Sequence, residues 1–215
     1  KALEQLGNKR YLAGLLQFDD LKDKKEIFSD RTIDELVKAS YEMAKHKTGA
    51  LIVIEQEINL QDYINTGIDI DAFVSNQLLI NIFEHNTPLH DGAVIIRKNR
   101  VVSATCYLPL SANDSINKEL GTRHRAGIGI SEVSDSMTLI VSEETGSISI
   151  AQGGELFRNL DSEGVRRHLQ TLCKEYSEKR YHRSSGARPI KKRRKRVVIE
   201  NKNKASGKEA DDDEK

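Results

Sequence analysis

The stretch ALIVI, residues 50–54, is an unbroken apolar run in which three of five residues are β-branched. It lacks the alternation of a half-exposed strand, and therefore predicts a strand that is covered on both faces. Residues 32–49 precede it with apolar side chains at helical spacing, and Asp34 and Glu35 lie in the first turn. This pattern predicts a helix that begins at the N-cap Thr32 and ends near Gly49.

Four further strands and three further helices are predicted along the chain. The strands form two hairpins, one with Lys98-Asn99 at its tip and one with a turn at residues 143–146. The predicted strands are residues 93–96, 101–108, 137–141 and 147–151, and the predicted helices are residues 71–84, 120–133 and 162–176. Helices that precede, interrupt and follow the strands indicate an α/β fold with a mixed central β-sheet flanked by helices on both faces.

Acidic and basic residues are distributed unevenly along the chain. Residues 1–178 contain 20 Lys and Arg against 27 Asp and Glu, whereas residues 179–215 contain 14 against 6. We expect a short helix and linker over residues 1–30, one globular domain over residues 31–178, and a charged, disordered tail over residues 179–215. An acidic domain argues against nucleic-acid binding, although the basic run at residues 191–196 leaves a nucleic-acid or anionic-membrane patch open as an alternative.

The cysteines and the hydropathy pattern predict a soluble protein of a reducing compartment. Cys106 and Cys173 are far apart and form no CxxC pair, so neither a disulfide framework nor a zinc site is expected. No window approaches the roughly 20 apolar residues that a membrane span requires, and the first residues lack the layout of a secretory signal.

The segment LHDGA, residues 89–93, places an imidazole and a carboxylate at the entrance of a predicted strand. His90 and Asp91 could hold a divalent ion, and Asp91 could orient or deprotonate a hydroxyl group. Asp-Gly is also a common turn sequence, so a purely structural role is the alternative for this segment taken alone.

The segment GTRHRAG, residues 121–127, places three cationic or donor side chains at a predicted helix N-terminus. Arg123, His124 and Arg125 would add to the backbone N–H groups and the helix dipole, which already favour an anion. Guanidinium groups match phosphate oxygens bidentately, and a polyphosphate is the expected ligand. The alternative is a solvated basic turn.

Ser142, Glu143 and Glu144 lie at the tip of the second predicted hairpin. Carboxylates of this kind suit Mg²⁺ or Mn²⁺ bound to phosphates. Solvated turn residues are again the alternative, and the argument for a site depends on the three segments together.

The order Asp91-Gly92-Ala93, then Gly121-Thr122-Arg123-His124-Arg125 about thirty residues later, resembles the paired signature of the diadenylate cyclase domain family. The preceding Leu89-His90 and the strand start at residues 49–52 also match, and the resemblance covers residues 32–178. It implies that Asp91 positions or activates the ribose 3′-hydroxyl and that Gly92 and Ala93 lie against the nucleotide. The resemblance further implies adenine contacts for Leu51 and Tyr107. It implies phosphate contacts for six residues: Thr122, Arg123, His124, Arg125, Ser142 and Glu143. Mg²⁺ or Mn²⁺ would be bound by His90, Asp91 and Glu144, with Glu143 as the alternative to Glu144.

The resemblance implies an enzyme that joins two ATP molecules into cyclic di-AMP across a face-to-face homodimer. Within the family, the chain is most similar to the membrane-anchored bacterial type, whose catalytic domain is cytoplasmic, so residues 1–30 would include a juxtamembrane connector. The family type is associated with a regulatory membrane protein and a phosphoglucosamine mutase. A nucleotide-binding sensor with the same pocket and no turnover is the rival prediction.

Overall fold

The computed structural model describes residues 29–113 and 120–184, with the side chains of the last helix described as far as Lys174. The elements, numbered along the chain, are α1 (Asp30–His46), β1 (Ala50–Ile54), α2 (Gln61–Ile64), β2 (Ile68–Phe73), α3 (Asn76–Phe83), β3 (Ala93–Arg97), β4 (Arg100–Cys106), α4 (Thr122–Val133), β5 (Met137–Val141), β6 (Ile148–Gln152), β7 (Glu155–Phe157) and α5 (Ser162–Ser184). Residues 1–28, which include the predicted N-terminal helix, and residues 185–215 of the predicted tail lie outside the described residues.

The seven strands form one mixed sheet in the order β2-β4-β3-β1-β5-β6-β7. The ALIVI strand, β1, lies at its centre, parallel to β3 with Ile52 opposite Val94, and antiparallel to β5 with Ile52 opposite Leu139. All five residues of β1 are buried, as are all five of β5. A strand covered on both faces must be apolar throughout, and this explains the unbroken run that predicted it.

Helices cover both faces of the sheet, which confirms the predicted α/β fold. Side chains that alternate along β1 separate the interior into two cores. The first core, under α1, α3 and α5, includes Leu36, Met43, Ile52, Ile54, Phe83, Leu139, Leu169 and Leu172. The second core, under α2 and α4, includes Leu51, Val53, Leu60, Ile95, Ile128, Ile130 and Ile140.

The first helix begins earlier than the sequence predicted. Ser29 is the N-cap, and its Oγ accepts a hydrogen bond of 3.4 Å from the backbone N–H of Thr32. The prediction that Thr32 caps this helix is therefore wrong. The Thr32 hydroxyl instead donates to Asn99 Oδ1 at 2.8 Å, which ties the start of α1 to the β3–β4 hairpin.

The predicted helix over residues 71–84 is correct only in its second half. Residues 68–73 form the edge strand β2, which pairs with β4, and α3 starts after the N-cap Ser75. Pairing with a strand thirty residues away overrides the local helical spacing of Ala72 and Val74. The short elements α2 and β7 were not predicted, and α5 continues to Ser184, so residues 179–184 are helical although we assigned them to the tail.

Candidate functional site

One edge of the sheet collects the ends of four strands. The parallel strands β1 and β3 start there, and β4 and β5 end there because they run antiparallel to them. A cleft of about 370 Å³ opens at this edge. It is lined by Leu51, Asp91, Gly92, Cys106, Tyr107, Leu108, Leu110, Thr122, Arg123, Ala126 and Glu143. The topology therefore brings the LHDGA segment and the start of the GTRHRAG helix to the same cavity.

Gly92 is required by the backbone at the start of β3. Its φ of +124° is unfavourable for other residues, and a β-carbon there would lie 2.7 Å from the Cα and carbonyl carbon of Thr105. The preceding Asp91 is exposed, so its carboxylate can be reached by a ligand in the cleft. Ala93 is fully buried in the second core, and its side chain is closed to a ligand.

A bulge in β4 shapes the wall opposite Asp91. The pairing of β3 with β4 shifts register between Ala93 and Ile95, and Thr105 has a φ of +56°, which is strained for a β-branched residue. Beyond the bulge, the Tyr107 N–H donates to Thr66 Oγ1 at 2.9 Å, while Tyr107 remains 74% exposed. The bulge thus presents an aromatic ring at the cleft with its backbone anchored.

A second, smaller cavity of about 70 Å³ adjoins the cleft at the N-terminus of α4. It is lined by Leu120, Gly121, Thr122, Arg123, His124, Val141, Ser142, Glu143, Glu144, Thr145, Ser147 and Arg158. Thr122, Arg123 and Glu143 line both cavities. The first turn of α4 offers its unpaired N–H groups and its dipole to an anion at this place.

Arg123 stands between the two cavities and forms an ion pair with Glu143. Both side chains lie over Gly49, where a β-carbon would be 2.7 Å from Arg123 Nη1 and 2.9 Å from Glu143 Oε2. The space left by this glycine therefore sets where the guanidinium rests. Glu143 also offsets part of the positive charge that Arg123 brings to the site.

His124 is buried beside the smaller cavity. Burial, together with the positive charge of Arg158, lowers the pKa of the His124 imidazole below its ordinary value. The ring is accordingly neutral near pH 7, and it can donate one hydrogen bond to an anion without adding charge.

Arg125 turns away from both cavities. Its Nη2 donates to the Ser111 carbonyl at 3.1 Å, and the Ser111 N–H donates to the Arg125 carbonyl at 3.0 Å. The Ser111 hydroxyl also donates to Glu132 Oε1 at 2.7 Å. The predicted cationic triplet thus divides: two members face the small cavity, and the third holds the loop that carries Leu108 and Leu110.

The residues predicted for a divalent metal are not preassembled as a cluster. Within residues 29–113 and 120–184, no three His, Cys, Asp or Glu side chains are placed together to hold an ion. Asp91 lines the cleft and Glu144 the smaller cavity, while His90 lines neither of them. His90 Nδ1 lies 2.6 Å from the Thr87 carbonyl; since a carbonyl only accepts, Nδ1 carries the hydrogen and Nε2 keeps the lone pair of a metal ligand.

Hard oxygen donors at the cleft still fit Mg²⁺ or Mn²⁺. Such ions are commonly bound by one or two carboxylates, with the remaining positions filled by substrate phosphates and water. Asp91 is an exposed carboxylate of this kind, and Glu144 is exposed at the neighbouring turn. Ser142 shapes that turn, because its Oγ accepts from the Thr145 N–H at 3.3 Å.

Sequence reasoning missed several residues of the two cavities. Cys106 was considered only for a disulfide or a zinc site, and Leu110, Ala126 and Arg158 were not singled out, yet each lines a cavity. Cys106 and Leu110 lie on either side of Tyr107 in the sequence, so they could have been found by including the neighbours of that residue in the predicted site. Arg158 belongs to a loop far along the chain, and only tertiary structure brings it to the site.

Residues 37–156, more than half of the chain, match the family model described as "DAC: DisA bacterial checkpoint controller nucleotide-binding". The chain is 51% identical over 174 residues to the cyclic di-AMP synthase CdaA of Bacillus subtilis, covering 81% of this chain and 62% of that protein. It is 56% identical over 137 residues to a diadenylate cyclase of Listeria monocytogenes, covering 64% of this chain and 50% of the relative. The chain thus spans between half and two thirds of the length of these relatives.

Solved structures are similar as well. A double-cysteine mutant of DacA from Staphylococcus aureus has a TM-score of 0.65 and 50% identity, over 69% of this chain and 96% of that chain. A hypothetical membrane spanning protein from Bacillus cereus has a TM-score of 0.58 and 44% identity, over 60% of this chain and 63% of that chain. In the part of the present chain that the structure describes, no helix has the length and apolar character to cross a membrane.

Proposed function

The chain belongs to the DAC family of nucleotide-binding domains, and on that premise we propose that it condenses two ATP molecules into cyclic di-AMP and two pyrophosphates. The observation that carries the proposal is that Asp91 and Arg123 line the same cleft. A carboxylate suited to a hydroxyl group and a guanidinium suited to a phosphate in one cleft support the binding of a single nucleotide there.

The larger cleft suits the nucleoside. Leu51 and Tyr107 provide an apolar and an aromatic wall for the adenine, and Leu110, 58% exposed, extends that wall. Asp91 accepts the hydrogen bond of the ribose 3′-hydroxyl and holds this oxygen ready for attack. Gly92 has no side chain, so the nucleotide can lie close to the backbone beside Asp91.

The triphosphate runs past Arg123 toward the smaller cavity. Arg123 and the Thr122 hydroxyl contact the phosphate nearest the ribose, and the first N–H groups of α4 add to them. His124 donates a hydrogen bond from a neutral ring, while Ser142 and Glu143 shape the opposite side of this cavity. Arg125 contributes indirectly, because it holds the loop at Ser111 that leads from the nucleoside wall.

We assign the metal to the phosphates at Asp91, with His90 Nε2 and Glu144 as further candidate ligands. Mg²⁺ or Mn²⁺ supplies positive charge to the phosphate oxygens when it is bound. The chain's own contribution is the placement of the carboxylate, the guanidinium and the helix N-terminus.

The reaction requires two ATP molecules, each bound in the cleft of one protein copy. The 3′-oxygen of one ATP attacks the α-phosphorus of the other, the bond from that phosphorus to the bridging oxygen breaks, and pyrophosphate leaves with the electron pair. The hydroxyl proton passes to Asp91 or to solvent, and a second such step closes the ring. Since each cleft holds one ATP, two copies must face each other with their clefts opposed, in an isologous homodimer.

We place this domain on the cytoplasmic side of a bacterial membrane, within a longer anchored protein. The proposal is supported by the coverage of the relatives and by the Bacillus cereus neighbour, described as membrane spanning. By family resemblance, a regulatory membrane protein and a phosphoglucosamine mutase are proposed partners, and nucleic acid is not. Membrane fractionation of the full-length protein tests the location, and co-purification tests the partners.

The central test is product formation. The purified chain is incubated with ATP and either Mg²⁺ or Mn²⁺, and cyclic di-AMP and pyrophosphate are measured by mass spectrometry and a coupled assay. Appearance of both supports the proposal. ATP binding without either product, across metals and protein concentrations that permit dimers, would instead identify a nucleotide-binding sensor.

A further inference from the structure

Arg158 lies in the loop between β7 and α5, two residues beyond the end of the match to the family model. It lines the smaller cavity together with Arg123 and His124. The side chain is exposed and therefore accessible to a ligand in that cavity. No motif in the sequence connects position 158 with the segments that form the rest of the site.

The loop that carries Arg158 is held on both sides. Before it, Leu156 is paired with Ala151 in the sheet. After it, Asn159 takes the left-handed conformation with a φ of +54°, and the Leu160 N–H donates to the Ile148 carbonyl at 2.9 Å. Because its backbone is anchored two residues away on either side, the position of Arg158 relative to α4 is set by the fold.

The charge balance of the smaller cavity gives Arg158 a particular role. The charge of Arg123 is partly offset by its ion pair with Glu143. His124 is held neutral, in part by Arg158 itself. Among the described residues, Arg158 forms no ion pair with a carboxylate. Glu144 lines the same cavity but is not paired with Arg158, so the Arg158 guanidinium is available to bind an anion there.

We infer that Arg158 binds the β- and γ-phosphates of ATP, the portion that leaves as pyrophosphate. The inference rests on the proposed function, which puts the nucleoside in the larger cleft and the phosphates on the path past Arg123. The smaller cavity lies at the far end of that path, so Arg158 contacts the terminal phosphates there. As the bond to the α-phosphorus breaks, negative charge grows on pyrophosphate, and a guanidinium there stabilises the departing group.

The test compares three variants: Arg158→Gln, Arg158→Lys and the control Arg167→Gln. Arg167 is also an exposed arginine near the start of α5; it shares a third cavity with Arg158 but does not line the smaller one. Pyrophosphate binding is measured by calorimetry, and pyrophosphate inhibition and ATP kinetics are measured on the wild type and each variant. We expect Arg158→Gln to weaken pyrophosphate binding and inhibition by roughly tenfold or more, Arg158→Lys to recover part of this loss, and Arg167→Gln to change neither.

The outcomes separate the two proposals. If the wild type makes cyclic di-AMP and Arg158→Gln binds pyrophosphate normally, the assignment of Arg158 is wrong and the proposed function stands. If neither the wild type nor any variant makes cyclic di-AMP, but pyrophosphate binding depends on Arg158, the anion site stands and the proposed function fails. Thermal unfolding of each variant identifies a folding defect. If Arg158→Gln unfolds, Arg158→Lys is compared with Arg167→Gln instead: weaker pyrophosphate binding in Arg158→Lys alone supports the inference, and equal pyrophosphate affinities of the two variants overturn it.

Discussion

Gly49 lies directly against the guanidinium of Arg123: a β-carbon at position 49 would be 2.7 Å from Arg123 Nη1. The neighbouring atoms are the ends of flexible side chains, so a methyl group can be accommodated by moving Arg123 and Glu143. The consequence is chemical, because Arg123 is one of the three residues that line both cavities.

We therefore expect Gly49→Ala to keep the fold and lose activity. A displacement of about 1 Å at a positioning group lowers turnover by up to about a hundredfold, and ATP affinity should fall with it. Steady-state kinetics and thermal unfolding are the measurements. Full activity in this variant would mean that the Arg123 position does not matter, and an unfolded variant would mean that the clash falls on the backbone.

Asp91→Asn should abolish turnover while ATP binding largely survives. The amide keeps the shape of the carboxylate but cannot accept the hydroxyl proton, and loss of such a group costs about a hundredfold or more. Product formation and ATP binding are compared with those of Asp62→Asn, an exposed carboxylate of α2 away from the cleft. Near-normal turnover in Asp91→Asn would contradict its role.

Arg123→Gln and Arg125→Gln should differ in kind although the residues are two apart. The first should weaken pyrophosphate and ATP binding with little effect on stability. The second should leave pyrophosphate binding intact, because Arg125 holds Ser111, and should lower the melting temperature by about 2–4 °C and raise the KM for ATP. Calorimetry and thermal unfolding distinguish them, and equal losses of pyrophosphate binding would refute the division of the triplet.

Stability should decline as the pH falls below 6.5, the ordinary pKa of histidine. The folded-state pKa values of His124 and His168 are both lowered, chiefly by burial, so in this range the unfolded chain binds more protons than the folded one. The contribution of each neutral ring is present above pH 6.5 and is lost as the pH passes down through its folded-state pKa. Urea unfolding across this range, for the wild type, His124→Gln and His168→Gln, should show a shallower decline in each variant, and an unchanged slope would contradict the assignment.

Local patterns were enough for the parts of the fold that are buried on both faces. The apolar runs of β1, β3 and β5 suit only strands that are shielded from water on both faces. The turn residues Lys98 and Asn99 predicted the β3–β4 hairpin. The edge strand β2 was missed although residues 68–72 alternate apolar and acidic side chains, because the spacing of Ala72 and Val74 indicated a helix. Pairing with β4 overrides that spacing.

For the site, the two motifs and their order were visible in the sequence, because glycines and charged groups at element starts follow from local backbone chemistry. The sequence alone thus determined the buried strands, the helix entrance and the residue types available for phosphate. The tertiary structure decided which of them meet: it brought Asp91 and Arg123 to one cleft, turned Arg125 toward Ser111, and added Gly49 and Arg158. The physical reason is that strand direction and packing between distant segments place side chains, and neither is encoded in the spacing of residues along a single segment.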